Sequence, residues 1–136
     1  MNSHRYLLDT NILSHLIRNP AGAVYRHLEA ALPATACTSI IVSCEIHFGI
    51  KKRVSDRLRR QAEQVLSVLD VLPLEPPVEA HYAEIRSHLN RGGCPIGGND
   101  LLIAAHARCM NLILVTDNVR EFSRVPALHV ENWLTA

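Results

Sequence analysis

The chain has 136 residues, 48% of them hydrophobic and 20% charged, with a formal net charge of +1. That balance describes one ordinary globular domain over residues 1–136 and excludes both a disordered chain and one that is basic in bulk. No apolar run approaches the roughly 20 residues of a membrane helix, and Met1-Asn2-Ser3-His4 lacks the regions of a leader peptide, so no membrane partner and a cytoplasmic location are expected.

The first element is the unbroken apolar run Tyr6-Leu7-Leu8, which suits a strand covered on both faces in a parallel sheet. Asp9, Thr10 and Asn11 break it, and Ile12, Leu13, Leu16 and Ile17 follow at helical spacing. Asn19-Pro20 ends that helix, and Ala21 to Leu32 predicts a second, closed by Pro33. Ala34 to Thr38 reads as a second strand, after which Ser39 caps a helix running through Phe48 with Glu45 near its middle. The run Lys51 to Arg60 forms a turn and the start of a helix that continues to Leu69.

Val71 to Leu74 predicts a third strand, with Pro73 at its edge. Pro76-Pro77 opens a helix through Leu89, ended by Arg91-Gly92-Gly93. Pro95 to Gly98 is a loop of little bulk, and Gly98 or Asn99 is the expected cap of a buried helix from Asp100 to Cys109. After Asn111, Leu112 to Val115 is the clearest strand in the chain, stopped by Thr116-Asp117-Asn118. A helical turn around Arg120 to Ser123 and a strand over Leu128 to Glu131 complete it. Strands alternating with helices predict an α/β fold, a sandwich around a mainly parallel sheet with right-handed crossovers. Strand order does not follow from one sequence. The four cysteines, Cys37, Cys44, Cys94 and Cys109, show no CxxC spacing and are expected as reduced thiols in or near the core.

In parallel sheets ligands bind beyond the carboxyl ends of the strands, so the acids at those ends matter most. Asp9 follows the first strand, Asp117 follows the aliphatic one, Asp100 opens a buried helix, and Glu45 lies on a helix among apolar neighbours. For Asp9 alone, helix capping is an equally good account. Carboxylates brought together raise one another's pKa unless a cation separates them. Oxygen donors without a histidine or cysteine frame favour Mg²⁺ or Mn²⁺, which suits phosphodiester hydrolysis. Thr10, Asn11, Ser14, Asn99 and Thr116 adjoin these acids and could orient phosphate or water, although each also has an ordinary role in a cap or turn. Paired metal-binding cysteines and histidines and a Gly-x-Ser-x-Gly elbow are absent, and His106 reads as a core residue. The cations Lys51, Lys52, Arg53 and Arg57 could contact nucleic-acid phosphates or simply face water.

Four blocks carry a resemblance: Leu7 to Leu13, Glu45 followed by Gly49, Ile96 to Ala107, and Leu114 to Phe122. In this order they resemble the PIN-domain ribonucleases, and with the ending Val125 to Trp133 they are most similar to the VapC toxins of bacterial toxin–antitoxin pairs. The resemblance implies an α/β/α domain, Mg²⁺- or Mn²⁺-dependent endonucleolytic cleavage of RNA, with transfer RNA a frequent target, a homodimer, and a cognate VapB-like antitoxin that blocks the site. It assigns Asp9 and Asp100 to the metal, with Glu45 completing the cluster. The family often places its last acid two residues after the threonine, where this chain has Asn118; Asp117, one residue early, is taken as the fourth catalytic acid, with Asn118 and the nearby Glu121 as the alternatives for that place. The rival expectation is a catalytically weak PIN-fold protein that binds antitoxin or RNA. A phosphohydrolase using Asp9 as nucleophile fits less well, since Asn11 stands where a second Asp is expected.

Overall fold

The structure, a computed structural model, describes residues 4–134; the leader-peptide reading of Met1 to Ser3 lies outside the described residues. Twelve elements follow in order. The first six are β1 (His4–Leu8), α1 (Thr10–Arg18), α2 (Ala23–Ala31), β2 (Thr35–Ser39), α3 (Ile40–Lys52) and α4 (Asp56–Val68). They are followed by β3 (Asp70–Leu72), α5 (Val78–Arg91), α6 (Gly98–Cys109), β4 (Ile113–Val115), α7 (Val119–Phe122) and β5 (Val130–Glu131). The strands form one sheet in the order β3-β2-β1-β4-β5, every pair parallel, flanked by helices.

The register explains the unbroken apolar runs. Leu7 pairs with Cys37 on one side and Leu114 on the other, and all three are buried. Leu8 and Val115, paired one position on, are buried as well. With helices over both faces, neither set of alternate side chains meets water. The core extends into the helices through Ile12, Val42, Ile85, Ile103 and Phe122. Trp133 seals it at the carboxyl end, edge-on to Tyr6 and stacked on His27.

Several expected boundaries shift, each for a local reason. The third strand spans Asp70–Leu72 rather than Val71 to Leu74, because Pro73 has no N–H to extend the ladder. The last strand is confined to Val130–Glu131, opposite the short β4, with Ala127 at φ 60° turning the chain just before it. The second helix begins at Ala23 after Gly22, and the cap of α6 is Gly97, not Gly98 or Asn99. At the other end of α6 the left-handed Asn111 lets Leu112 N–H reach the Ala107 carbonyl and its own N–H the Arg108 carbonyl. This double bond pattern satisfies the free helix carbonyls and turns the chain straight into β4, leaving Leu112 outside the strand. The cysteines also depart from expectation. All four are free, but only Cys37 is buried, its thiol pushed up to about 12 chiefly by that burial; Cys44 and Cys94 are exposed.

Candidate active site

Parallel strands share one carboxyl edge. The chain leaves β1 toward β2 and β3, then returns to build β4 and β5 on the other side, so a crevice opens between the ends of β1 and β4. Asp9 emerges from β1 and Thr116 from β4, so the two face each other across the crevice.

Asp9 both caps a helix and furnishes the site. Its Oδ1 accepts the Thr10 N–H at 2.8 Å, holding the start of α1, and its Oδ2 accepts the Thr116 hydroxyl at 2.7 Å. The residue is only 6% exposed. Burial raises its pKa, the bonds from Thr116 and Thr10 oppose that rise, and the charges of Glu45 and Asp117 add to it.

Glu45 projects from α3 and is half-buried, accepting the Thr10 hydroxyl through its Oε1. The strand end positions it: Ser39 closes β2, caps α3 by accepting the Ile41 N–H, and bonds the buried His106 Nδ1 at 2.8 Å. Burial lowers the His106 pKa, with a smaller opposing effect from the Pro73 backbone. His106 is therefore the core residue expected, and it ties α6 to the start of α3. Asp100 lies in the first turn of α6, where the helix dipole favours a carboxylate. Burial, and then the charges of Asp9, Glu121 and Glu45, push it up to about 6.

The remaining acids divide the last position between them. Asp117 is exposed and accepts Asn11 Nδ2 at 3.2 and 3.4 Å. Glu121 projects from α7, held by a hydrogen bond from Asn118, and raises Asp100 more than Glu45 does. Asn118, whose N–H bonds the Thr116 hydroxyl, serves as a brace for Glu121.

Thr10 and Thr116 thus touch the acids directly, and Asn11 reaches Asp117. Ser14 lines a cavity with Thr10, Asn11 and Glu45, whereas Asn99 is exposed in the first turn of α6. Of the basic run, Lys52 and Arg53 line that cavity, Lys51 lines a neighbouring depression, and Arg57 lines neither. Arg18, at the end of α1, joins Lys52 and Arg53 there. It lies far from the basic run in sequence, and only the packing of α1 beside α3 and α4 brings it in.

Among the described residues, no three carboxylate, imidazole or thiolate groups are already drawn into a finished metal cage. The donor chemistry nevertheless fits a hard divalent cation. Burial, and then the charges of Asp9, Glu121 and Glu45, raise Asp100, and a cation among these acids would relieve their repulsion. Together, a parallel α/β sheet with acids gathered beyond its switch point defines the class of protein.

Comparison with known proteins places the chain within that class. The sequence model of the PIN domain family matches residues 6–128. Ribonuclease VapC2 of Haemophilus influenzae is 41% identical over 96% of this chain and 98% of its own length. The tRNA(fMet)-specific endonuclease VapC of Shigella flexneri is 35% identical over 95% and 98% respectively. The crystal structure of VapBC2 from Rickettsia felis bound to a promoter DNA fragment superposes with a TM-score of 0.88 at 37% identity, covering 94% of this chain and 98% of that one. The chain belongs to the PIN-domain family, in the branch of the VapC ribonucleases.

Proposed function

We propose that the protein is a metal-dependent endoribonuclease, the toxin of a toxin–antitoxin pair, and that Asp9, Glu45 and Asp100 form its centre. The observation that carries this reading is the convergence of acids that lie far apart in sequence: Thr10 bonds both Asp9 and Glu45, and the charges of Asp9 and Glu45 both act on Asp100. Asp9 and Asp100 would hold Mg²⁺ or Mn²⁺, with Glu45 and Glu121 completing the set and Asp117 supporting from the rim. Such an ion, when bound, polarises the phosphoryl group and eases deprotonation of the attacking water.

The chain's own groups supply the rest. Thr116 and the Thr10 N–H hold both oxygens of Asp9, so this carboxylate cannot swing away. Thr10 occupies Oε1 of Glu45 and leaves Oε2 to take a proton from water as the new P–O bond forms and a bridging P–O bond breaks. The departing ribose oxygen takes up a proton from solvent, which balances the hydrolysis. Lys52, Arg53 and Arg18 would neutralise phosphates on either side of the break. The relative named for tRNA(fMet) supports transfer RNA as the substrate class.

The partner reading rests on a second surface. Leu16, Ile17, Tyr25, Leu28, Val65 and Val68 line an open apolar groove of about 580 Å³ between α1, α2 and α4. Leu32 and Val68 there are 64% and 83% exposed. Apolar surface of this kind marks an interaction site. We place a cognate VapB-like antitoxin on it, its tail delivering a cationic side chain such as Arg to the acids. The VapBC complexes among the structural relatives support that partner. Among the described residues no helix is long and apolar enough to cross a membrane, and a toxin acting on RNA belongs in the cytoplasm, where it would work as a homodimer.

The test is cleavage of end-labelled transfer RNA by antitoxin-free protein. Cleavage that EDTA abolishes and Mg²⁺ restores supports the reading. RNA binding with no cleavage at any metal concentration favours the rival, a PIN-fold binding protein.

A further inference from the structure

The cavity between α1, α3 and α4 has a volume of about 450 Å³, within the range of small-molecule sites. Its lining includes Thr10 and Glu45 of the acidic site, the cations Arg18, Lys52 and Arg53, and Phe48. Phe48 is one of only two phenylalanines in the chain and is 68% exposed, whereas Phe122 is fully buried in the core. Phe48 therefore lines the cavity with most of its surface open to solvent, beside the cations that share that lining. The three cations make no ion pair among the described residues, unlike Arg59, which is taken by Asp56 and Glu63. An exposed ring beside unpaired cations is the combination that binds single-stranded nucleic acid, the ring stacking on a base and the cations meeting phosphates.

We propose that this cavity receives an unstacked base of a nucleotide next to the bond that is cut, with Phe48 as its stacking face and Arg18, Lys52 and Arg53 on the flanking phosphates. The inference rests on the nuclease reading above and adds to it where the RNA strand leaves the acids. The site therefore takes single-stranded or locally unpaired RNA. A ring tolerates any base, so this subsite demands an unpaired nucleotide without naming one.

The experiment uses single-stranded RNA decamers carrying 2-aminopurine at successive positions, bound to the full chain in an Asp9→Asn background. One position should change its fluorescence on binding, and Phe48→Ala should abolish that change and weaken affinity by about 5- to 100-fold. Phe48→Trp should restore both. Phe48 is exposed, so its replacement should leave the melting temperature unchanged. Arg18→Gln and Lys52→Gln should each reduce the salt dependence of binding by roughly one phosphate contact. In the wild-type background, Phe48→Ala should raise KM more than it lowers kcat. Wild-type cleavage unaffected by Phe48→Ala overturns the subsite and leaves the nuclease reading standing. Loss of antitoxin binding alone in Phe48→Ala overturns it too, by assigning the cavity to the inhibitor. A wild-type chain that neither binds nor cuts RNA removes both readings.

Discussion

Thr116 donates its hydroxyl proton to Oδ2 of Asp9 at 2.7 Å although 107 residues separate them. Thr116 is fully buried, so no water can replace it. Thr116→Val should leave a buried carboxylate oxygen without its donor and destabilise the fold by about 1–3 kcal/mol. Denaturant unfolding of the metal-free protein measures that cost. Cleavage should fall as well, because Asp9 loses one of its two restraints.

Replacing the carboxylate itself separates charge from shape. In Asp9→Asn the amide oxygen can still accept the Thr10 N–H, and the Thr116 hydroxyl can reverse to accept from the amide nitrogen. The fold should persist while RNA cleavage falls on the order of 100-fold or more. Mg²⁺ at about ten times its Kd should raise the wild-type melting temperature by roughly 3–6 °C. The variant should respond by less than half as much; an equal response would remove Asp9 from the metal site.

The acidic site should weaken the metal-free protein as pH rises. Asp100 is pushed from 3.8 up to about 6, so between those values the folded chain holds a proton that the unfolded chain has released. Stability then declines as pH climbs through that window and levels off above it. His106 works the other way, since its lowered pKa removes stability as pH falls. The informative measurement is the difference in unfolding free energy between wild type and Asp100→Asn at pH 4.5 and pH 7. The variant should gain relative stability at the higher pH, and saturating Mg²⁺ should erase that gain.

Asp117 and Glu121 can be ranked directly. Glu121 acts on Asp100, whereas Asp117 acts on Asp9 from an exposed position and is engaged by Asn11. Glu121→Gln should weaken Mg²⁺ binding by about 10- to 100-fold, and Asp117→Asn by only a few-fold. Titration calorimetry on the two variants checks the order, and the reverse result would return the fourth position to Asp117.

Ser39 links the sheet, α3 and His106 through one hydroxyl. Ser39→Ala should cost about 1–3 kcal/mol through the lost cap and the stranded imidazole. Glu45 should be less well placed, lowering kcat and weakening Mg²⁺ binding, which kinetics and titration calorimetry measure.

What could be read along the chain were features whose cause is local. The runs Tyr6-Leu7-Leu8 and Leu112 to Val115 announce strands buried on both faces, and Asp9, Ser39 and Asn111 mark helix ends through their own hydrogen bonding and backbone preferences. The acids Asp9, Glu45 and Asp100 were nameable because each sits at a strand or helix boundary or breaks an apolar stretch, and four motifs in order identify the family. Convergence was not readable. Strand order β3-β2-β1-β4-β5 depends on which buried surfaces match and sets Thr116 against Asp9, while the packing of α1 beside α3 and α4 brings Arg18 to the same cavity as Lys52. The cap at Gly97 and the approach of Glu121 to Asp100 likewise result from competition between distant segments for the same space and the same hydrogen bonds. No single stretch of sequence contains that competition, so only the packed molecule could settle it.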